Sequence, residues 1–307
     1  MVTLSNNHEI ICVLDLKYKQ TQVSSSFLYE NAVIAFDNKQ DPSKLTVSIS
    51  GKCNIELDEL KNIFLWIWEM LYFFSGFFPV LLSSSFDGDE DKFFPKRMHN
   101  QWYTTKSLKL MRSTNRLCAV LPETLNYTTL KNYVSLKAIL KYPLNSIFAV
   151  QSYRELYSEH RFVLAAHAAE GIIEGNYDSQ AIQYFSKKQK TTRCDFLTRI
   201  KYLFYPLIDG DKKYKTELFN SIGISEEVYF DLIKNTRHFY SHLAKERKRF
   251  TKGKEFASDY WILSLAIRMF VLQEIGVNYD VSLFKTNVSS IARWMDKYRK
   301  KYNYLFE

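Results

Sequence analysis

Hydrophobic and polar positions alternate along the first third of the chain. Apolar and β-branched residues follow a two-residue period over residues 10–18 and 44–50, and residues 27–36 carry a similar run. This period is typical of strands that bury one face, so we predict three β-strands. Asp41, Pro42 and Ser43 are turn-forming residues, and they predict a turn before the last of these strands.

A long apolar run follows the strands and predicts one helix over residues 56–82. Residues 63–82 are long enough to cross a bilayer, so a membrane-associated protein is one alternative. Glu69 would then lie near mid-bilayer, and Pro79 would end or kink the helix. We therefore favour a core helix covered by the strands, followed by a polar, acidic loop at residues 83–96.

The spacing of apolar positions becomes helical in the second part of the chain. Ser225 is a predicted helix N-cap, and Gly175 and Gly276 are stop signals. The predicted helices cover residues 146–174, 194–208, 225–242 and 256–275. We predict an α+β protein, with a β-rich domain at 1–122 that contains the apolar helix, followed by an all-α helix bundle at 123–307.

The composition is that of a folded protein, since aromatic residues make up 16% of the chain and glycine and proline are scarce. The four cysteines form no CxxC pair, which argues against a cysteine zinc site or a redox pair. The first residues are polar and contain no secretory signal, so we expect a reducing, cytoplasmic location.

Basic residues are concentrated in one segment. The chain has a net charge of +9, and residues 234–254 contain eight lysines and arginines against Glu246 alone. A solvated basic loop would account for this run. An RNA-binding surface is the alternative, because neutralisation of phosphates dominates nucleic-acid binding. The candidate RNA-binding residues are Lys234, Lys245, Arg247, Lys248 and Arg249.

Arg237 and His242 lie beside this basic run and are the candidate catalytic pair. An arginine holds a phosphate with a permanently charged fork, and a histidine exchanges protons near neutral pH. On an ideal helix the two side chains point about 140° apart. They could share a site only if the helix frays after Tyr240 or if a second copy of the chain faces it. The predicted inner, apolar stripe of this helix is Val228, Leu232, Phe239 and Leu243.

These residues suggest cleavage of RNA in a basic groove between two copies of the chain. His242 would act as base on the 2′-hydroxyl or as acid on the leaving oxygen, while Arg237 holds the phosphate. Neither a metal nor a cofactor is needed, because the attacking group belongs to the RNA. The expected products are a 2′,3′-cyclic phosphate and a 5′-hydroxyl. A zinc site at His238 and His242 is a weaker alternative, since no third ligand stands nearby.

An earlier helix carries a second polar set. His167, Glu170 and Glu174 are spaced three and four residues apart and share one face. Its opposite, apolar side is formed by Phe162, Ala165, Ala166, Ala169 and Ile173. A solvated helix face would account for the polar set. Alternatively, Glu170 reaches Arg237 or His242 and orients it.

The motif Arg237-His238-Phe239-Tyr240-Ser241-His242 resembles the signature of the HEPN superfamily. The alanine-rich helix with Glu170, the helix at residues 194–208 and the basic linker are similar to the ApeA-like HEPN domains of anti-phage proteins. The resemblance covers roughly residues 125–280. It implies a HEPN helix bundle that forms a homodimeric, metal-independent endoribonuclease, used in abortive infection and activated by a phage-derived trigger. By position it makes Arg237 and His242 catalytic, with His238, Glu170, Asn235 and Ser241 in support.

Three alternatives to this enzyme stay open at this point. The first is a non-catalytic HEPN module that binds RNA or a protein. The second is a HEPN toxin controlled by a partner antitoxin, which could transfer a nucleotide to Tyr240. The third is a membrane-associated abortive-infection protein that uses residues 63–82.

Overall fold

The computed structural model describes residues 8–16, 24–51, 55–76, 78–87, 89–90, 124–152, 158–189, 193–208, 219, 225–242 and 255–279. The chain forms two compact units. One comprises Met1–Ala138 and Val271–Tyr279, and the other comprises Ile139–Phe270 and Asp280–Glu307. The predicted domain boundary after residue 122 lies outside the described residues.

The first unit contains an antiparallel sheet with the strand order β2-β3-β4-β1-β5-β6. Its strands are β1 (His8–Asp15), β2 (Ser24–Tyr29), β3 (Ala32–Asp37), β4 (Lys44–Gly51), β5 (Val80–Phe86) and β6 (Asp89–Glu90). The alternation along β1 places Ile10, Cys12 and Leu14 on the buried face. Their cross-strand neighbours on β4 are Ile49, Val47 and Leu45, which are also buried. This matched register explains why β1 and β4 form the centre of the sheet.

The prediction of one strand over residues 27–36 is wrong, because this segment is a hairpin of β2 and β3. The chain turns at Glu30 and Asn31, and Glu30 adopts a positive φ of 49°. No glycine marks this turn in the sequence. The predicted turn at Asp41–Ser43 is confirmed, since the Lys44 amide donates to the Asp41 carbonyl oxygen at 2.9 Å.

The apolar helix α1 (Leu57–Ser75) packs against β4 and supplies much of the core. It ends at Gly76, which adopts φ 80° and donates its amide to the Tyr72 carbonyl oxygen at 2.7 Å. The predicted extension to residue 82 is therefore wrong, because residues 80–82 begin β5. The predicted loop at 83–96 is also wrong where it is described, since residues 83–86 and 89–90 are strands.

Glu69, in the middle of α1, is paired inside the first unit. Its carboxylate accepts hydrogen bonds from the Tyr133 hydroxyl at 2.8 Å and from Lys137 Nζ at 2.5 and 2.7 Å. Both partners lie on helix α2 (Tyr127–Ile139). Across the described part of the chain, no helix has the length and apolar character that a bilayer crossing requires.

Six further helices follow α2: α3 (Lys141–Ser152), α4 (Ser158–Ile173), α5 (Asp178–Gln189), α6 (Phe196–Ile208), α7 (Glu226–His242) and α8 (Glu255–Glu274). The α+β fold, with strands first and helices afterwards, is thus confirmed. The single helix predicted at 146–174 is wrong, because α3 and α4 are separate helices that pack against each other. They approach closely at Gly171, where an added Cβ would lie 3.1 Å from Pro143 Cγ.

The other predicted helices are confirmed with small shifts at their ends. Helix α6 begins two residues later than predicted, because Asp195 caps it by accepting the Thr198 amide at 2.8 Å. Helix α7 starts after Ser225, whose hydroxyl oxygen lies 3.4 Å from the Val228 amide nitrogen. Within the second unit, α4 contacts α3, α6 and α7.

Candidate functional site

Helix α7 carries the Arg237 motif and is continuous through His242. The acidic residues Glu226 and Glu227 in its first turn favour the helix, since negative charge stabilises a helix N-terminus. The predicted alternative of fraying after Tyr240 is therefore wrong. On a continuous helix, positions 237 and 242 lie about 140° apart around the axis. The side chain of His242 lies outside the described residues.

The buried face of α7 differs from the predicted stripe. Tyr229, Phe230, Ile233 and Thr236 are buried. Of the predicted stripe, Val228 is exposed, Leu232 and Phe239 are half-buried, and Leu243 lies outside the described residues. The physical reason is aromatic packing, because Tyr229 and Phe230 meet Phe204 of α6 with ring centroids 6.2 and 5.5 Å away. The helix is thus rotated from the predicted phase, and Arg237 lies at the edge of the buried face.

Glu170 of α4 contacts Arg237 of α7, as one of the two interpretations of the polar face predicted. Arg237 Nη2 donates to Glu170 Oε2 at 2.8 Å, and the two side chains are 22% and 15% exposed. The guanidinium carbon also lies 5.1 Å from the ring centroid of Phe196 on α6. Arg237 Nε is buried and has no hydrogen-bond partner within the described part of the chain. Two neighbouring helices therefore fix the guanidinium while leaving one of its donors unused.

Arg199 of α6 extends the Glu170–Arg237 contact into a network of ion pairs. It was not among the predicted site residues. Its Nε and Nη2 donate to the two carboxylate oxygens of Asp178 at 2.9 and 3.0 Å. Its Nη1 donates to Glu174 at 2.8 Å and to Glu170 at 3.3 Å. Glu170 thus bridges Arg199 and Arg237. The available sequence signal was the four-residue spacing of Glu170 and Glu174, because like charges at this spacing repel unless a cation lies near them.

The hydrogen bonds from Arg199 lower the pKa of Asp178 from 3.8 to about 2, against the opposing effect of burial. Next to it, burial raises the pKa of the Cys194 thiol to about 12, and its hydrogen bond to Asp178 acts in the same direction. Cys194 is therefore a neutral thiol at physiological pH and a poor nucleophile. The carboxylate of Asp178 stays charged and holds Arg199.

A second contact joins α4 to α7. His167 Nε2 and Ser241 Oγ lie 3.0 Å apart and share a hydrogen bond. The ring of His167 is exposed, and Ser241 is half-buried. His167 was predicted on the same face as Glu170, and both residues indeed meet α7. The two helices run antiparallel. Glu170 therefore pairs with Arg237, the earlier of the two residues on α7, and His167 pairs with Ser241, the later one.

Of the predicted site residues, Arg237 and Glu170 contact each other, and Ser241 contacts His167. Of the others on α7, His238 and Lys234 are exposed and Asn235 is half-buried. Four predicted RNA-binding residues lie outside the described residues: Lys245, Arg247, Lys248 and Arg249. Among the residues that are described, no group of three His, Cys, Asp or Glu side chains could hold a metal ion.

Comparison of the chain with protein-family models, with curated proteins and with solved structures finds no match. The chemistry of the site therefore has to be argued from its own residues.

Proposed function

We propose that this chain is a metal-independent endoribonuclease that holds a phosphodiester of RNA at Arg237. The observation that carries the proposal is how the guanidinium is held. Glu170 and the Phe196 ring fix its position, and its buried Nε has no partner among the described residues. The side chain of Arg237 is 22% exposed, so a phosphate oxygen can approach its accessible edge. The buried Nε, which is costly without a partner, could donate to the phosphate once the guanidinium shifts on binding. Arginine suits this role because its planar fork matches phosphate geometry.

The charges around Arg237 indicate where the attraction for RNA arises. In the network, two arginines face three carboxylates, those of Glu170, Glu174 and Asp178. The network itself is therefore not positively charged. We assign long-range attraction to the basic residues Lys234, Lys245, Arg247, Lys248 and Arg249, and the orientation of one phosphate to Arg237. Such a division between electrostatic affinity and positioning is usual in nucleic-acid binding.

We assign one proton transfer to His242. Because position 242 lies about 140° from position 237 around the same helix, a second copy of the chain would have to supply this histidine. Two α7 helices facing each other across a two-fold axis would pair each arginine with the other copy's histidine. The homodimer is thus part of the proposal.

The proposed reaction needs only groups of the RNA and the protein. The 2′-oxygen attacks phosphorus while a base removes its proton, the bond from phosphorus to the 5′-oxygen breaks, and an acid protonates that oxygen. The products are a 2′,3′-cyclic phosphate and a 5′-hydroxyl. DNA lacks the attacking hydroxyl and should remain intact.

The resemblance of the Arg237–His242 motif to ApeA-like HEPN domains supports the proposal that this activity serves abortive infection. In this proposal the enzyme acts in the cytoplasm, and a phage-derived trigger releases its activity. The sheet-containing unit would sense the trigger or restrain cleavage. Loss of protection in cells that carry an Arg237→Ala variant, compared with wild type, would be the cellular test.

Cleavage of total tRNA by the purified protein tests the proposed function. We expect wild-type protein, mixed with an extract of phage-infected cells that supplies the trigger, to produce fragments with the ends described above. Arg237→Ala and His242→Ala should each lose cleavage under the same conditions. Arg193→Ala is the matched control, because Arg193 is an exposed arginine outside the network. The proposal would be contradicted if tRNA stays intact with wild-type protein and the extract, or if Arg237→Ala cleaves it fully.

A second arm of this experiment examines metal dependence. Cleavage should continue in EDTA, because neither the nucleophile nor the charge stabilisation is assigned to a metal. A strict requirement for a divalent ion would show that the chemistry is different.

A further inference from the structure

The exposed His167 of α4 contacts Ser241, four residues after Arg237 on α7, and has no role in the cleavage proposed above. We propose that His167 is a second proton-transfer residue, which works with Arg237 of the same copy. This inference rests on the proposed RNA cleavage and extends it. His167 lies on α4, so its role could not be read from the motif on α7.

Two side-chain contacts join α4 to α7 at neighbouring positions. His167 and Glu170 are three residues apart on α4, and their partners Ser241 and Arg237 are four residues apart on α7. Residues at these spacings are neighbours on one helix face, about one turn apart. The His167–Ser241 and Glu170–Arg237 contacts therefore lie about one turn apart, along the line where the two helices meet.

His167 is better placed than position 242 to act with Arg237 of the same copy. Position 242 lies about 140° from position 237 around α7, whereas the contact of His167 with α7 lies about one turn from that of Arg237 with α4. A phosphate held by Arg237 would therefore have His167 as its near histidine. Cleavage needs one base and one acid, and a single histidine cannot serve both roles at the same moment.

The ring of His167 is both oriented and accessible. Ser241 Oγ lies 3.0 Å from Nε2, which fixes the direction of the ring. The residue is exposed, so RNA can reach it without unfolding the contact. On the other side of the pair, Glu170 holds Arg237 at 2.8 Å, so both groups are positioned before RNA binds. In the proposed dimer, His167 of one copy and His242 of the other would take the two proton transfers.

Single-turnover cleavage of a labelled single-stranded RNA tests this role. His167→Ala should cleave at least about 100-fold more slowly than wild type, because proton transfer contributes about 10²–10⁴-fold. His160→Ala is the matched control, since His160 is also exposed and lies on α4 seven residues before His167. It should cleave as wild type does. His167→Gln, which can still contact Ser241, should be as slow as His167→Ala.

Chemical rescue separates proton transfer from a structural role. Imidazole added to the buffer should restore part of the activity of His167→Ala and none of that of Arg237→Ala. Full activity of His167→Ala or His167→Gln, or a loss that imidazole does not restore, would overturn the inference while the proposed function stands. Full activity of Arg237→Ala would instead overturn the proposed function, and this inference with it.

Discussion

Replacing Arg199 with methionine should destabilise the helical unit by about 2 kcal/mol at neutral pH. The arginine side chain is only 13% exposed, and it contacts three carboxylates at 2.8–3.3 Å. Methionine keeps the apolar stem and removes the charge. Asp178 and Glu170 then lose a cation that their partly buried carboxylates need, although Glu170 keeps Arg237.

The magnitude follows from the pKa of Asp178. A decrease from 3.8 to about 2 corresponds to about 2.4 kcal/mol if it is wholly due to folding. The side chain of Asp178 is 27% exposed, so solvent screening reduces this contribution to about 1–1.5 kcal/mol. The weakened contacts of Glu170 and Glu174 account for the remainder. An Asp178→Asn variant should lose about 1 kcal/mol, and the double variant should lose less than the sum of the two.

The sign of the pH dependence follows from the same shift. The folded pKa of Asp178 lies below its unfolded value, so the stabilisation is complete above about pH 4 and is lost as the pH falls towards about 2. Urea unfolding followed by far-UV circular dichroism at several pH values measures this. The penalty of Arg199→Met should decrease over that range. A penalty that is absent at neutral pH, or one that stays constant down to about pH 2, would refute the reasoning.

Three further changes have expected outcomes. Gly51→Ala should cost about 2 kcal/mol in urea unfolding, because the new Cβ would lie 2.2 Å from Cγ2 of the buried Ile55. Lys137→Met should also cost about 2 kcal/mol in the same assay, because it leaves the 12%-exposed carboxylate of Glu69 without its cation. Glu170→Ala should slow RNA cleavage at least about tenfold while the protein stays folded, because the guanidinium that it holds becomes mobile.

Two of these changes have a matched control. Lys131→Met is the control for Lys137→Met, because Lys131 is an exposed lysine on the same helix, α2. It should change the free energy of unfolding by less than about 0.5 kcal/mol. Glu174→Gln should cleave RNA as wild type does, because its carboxylate is 58% exposed and contacts only Arg199 among the described arginines. Equal effects of control and test variants would contradict the roles assigned here. A neutral Gly51→Ala would mean that Ile55 can move aside.

The sequence predicts elements well where a local signal exists. Ser225 as N-cap and Gly276 after the last residue of α8 place two helix ends correctly. It fails where the signal is weak or non-local. The turn at Glu30 has no glycine, and the sheet selects a positive φ at a residue that rarely adopts one. The end of α3 is likewise hidden, since neither glycine nor proline occurs at residues 144–170.

The sequence predicted which residues share a face of α4, but it did not predict how the helices of the site pack or which charges pair between them. The face of α4 is correct, because helical spacing fixes which residues share a side, and Glu170 does reach Arg237. The phase of α7 was wrong, because aliphatic residues were assigned to the core and the aromatic packing of Tyr229 and Phe230 against Phe204 decides it. Arg199 was missed because its three carboxylate partners lie 21 to 29 residues away, on neighbouring elements.

The most direct measurement compares wild-type protein with Arg237→Lys in single-turnover cleavage of one labelled RNA. Lysine keeps the positive charge and loses the planar fork that Glu170 and Phe196 hold in place. We expect Arg237→Lys to cleave the RNA about 10²–10³-fold more slowly than wild type, with its affinity for RNA changed only a few-fold. Cleavage by Arg237→Lys at the wild-type rate would contradict the assignment of Arg237 as the phosphate-holding residue.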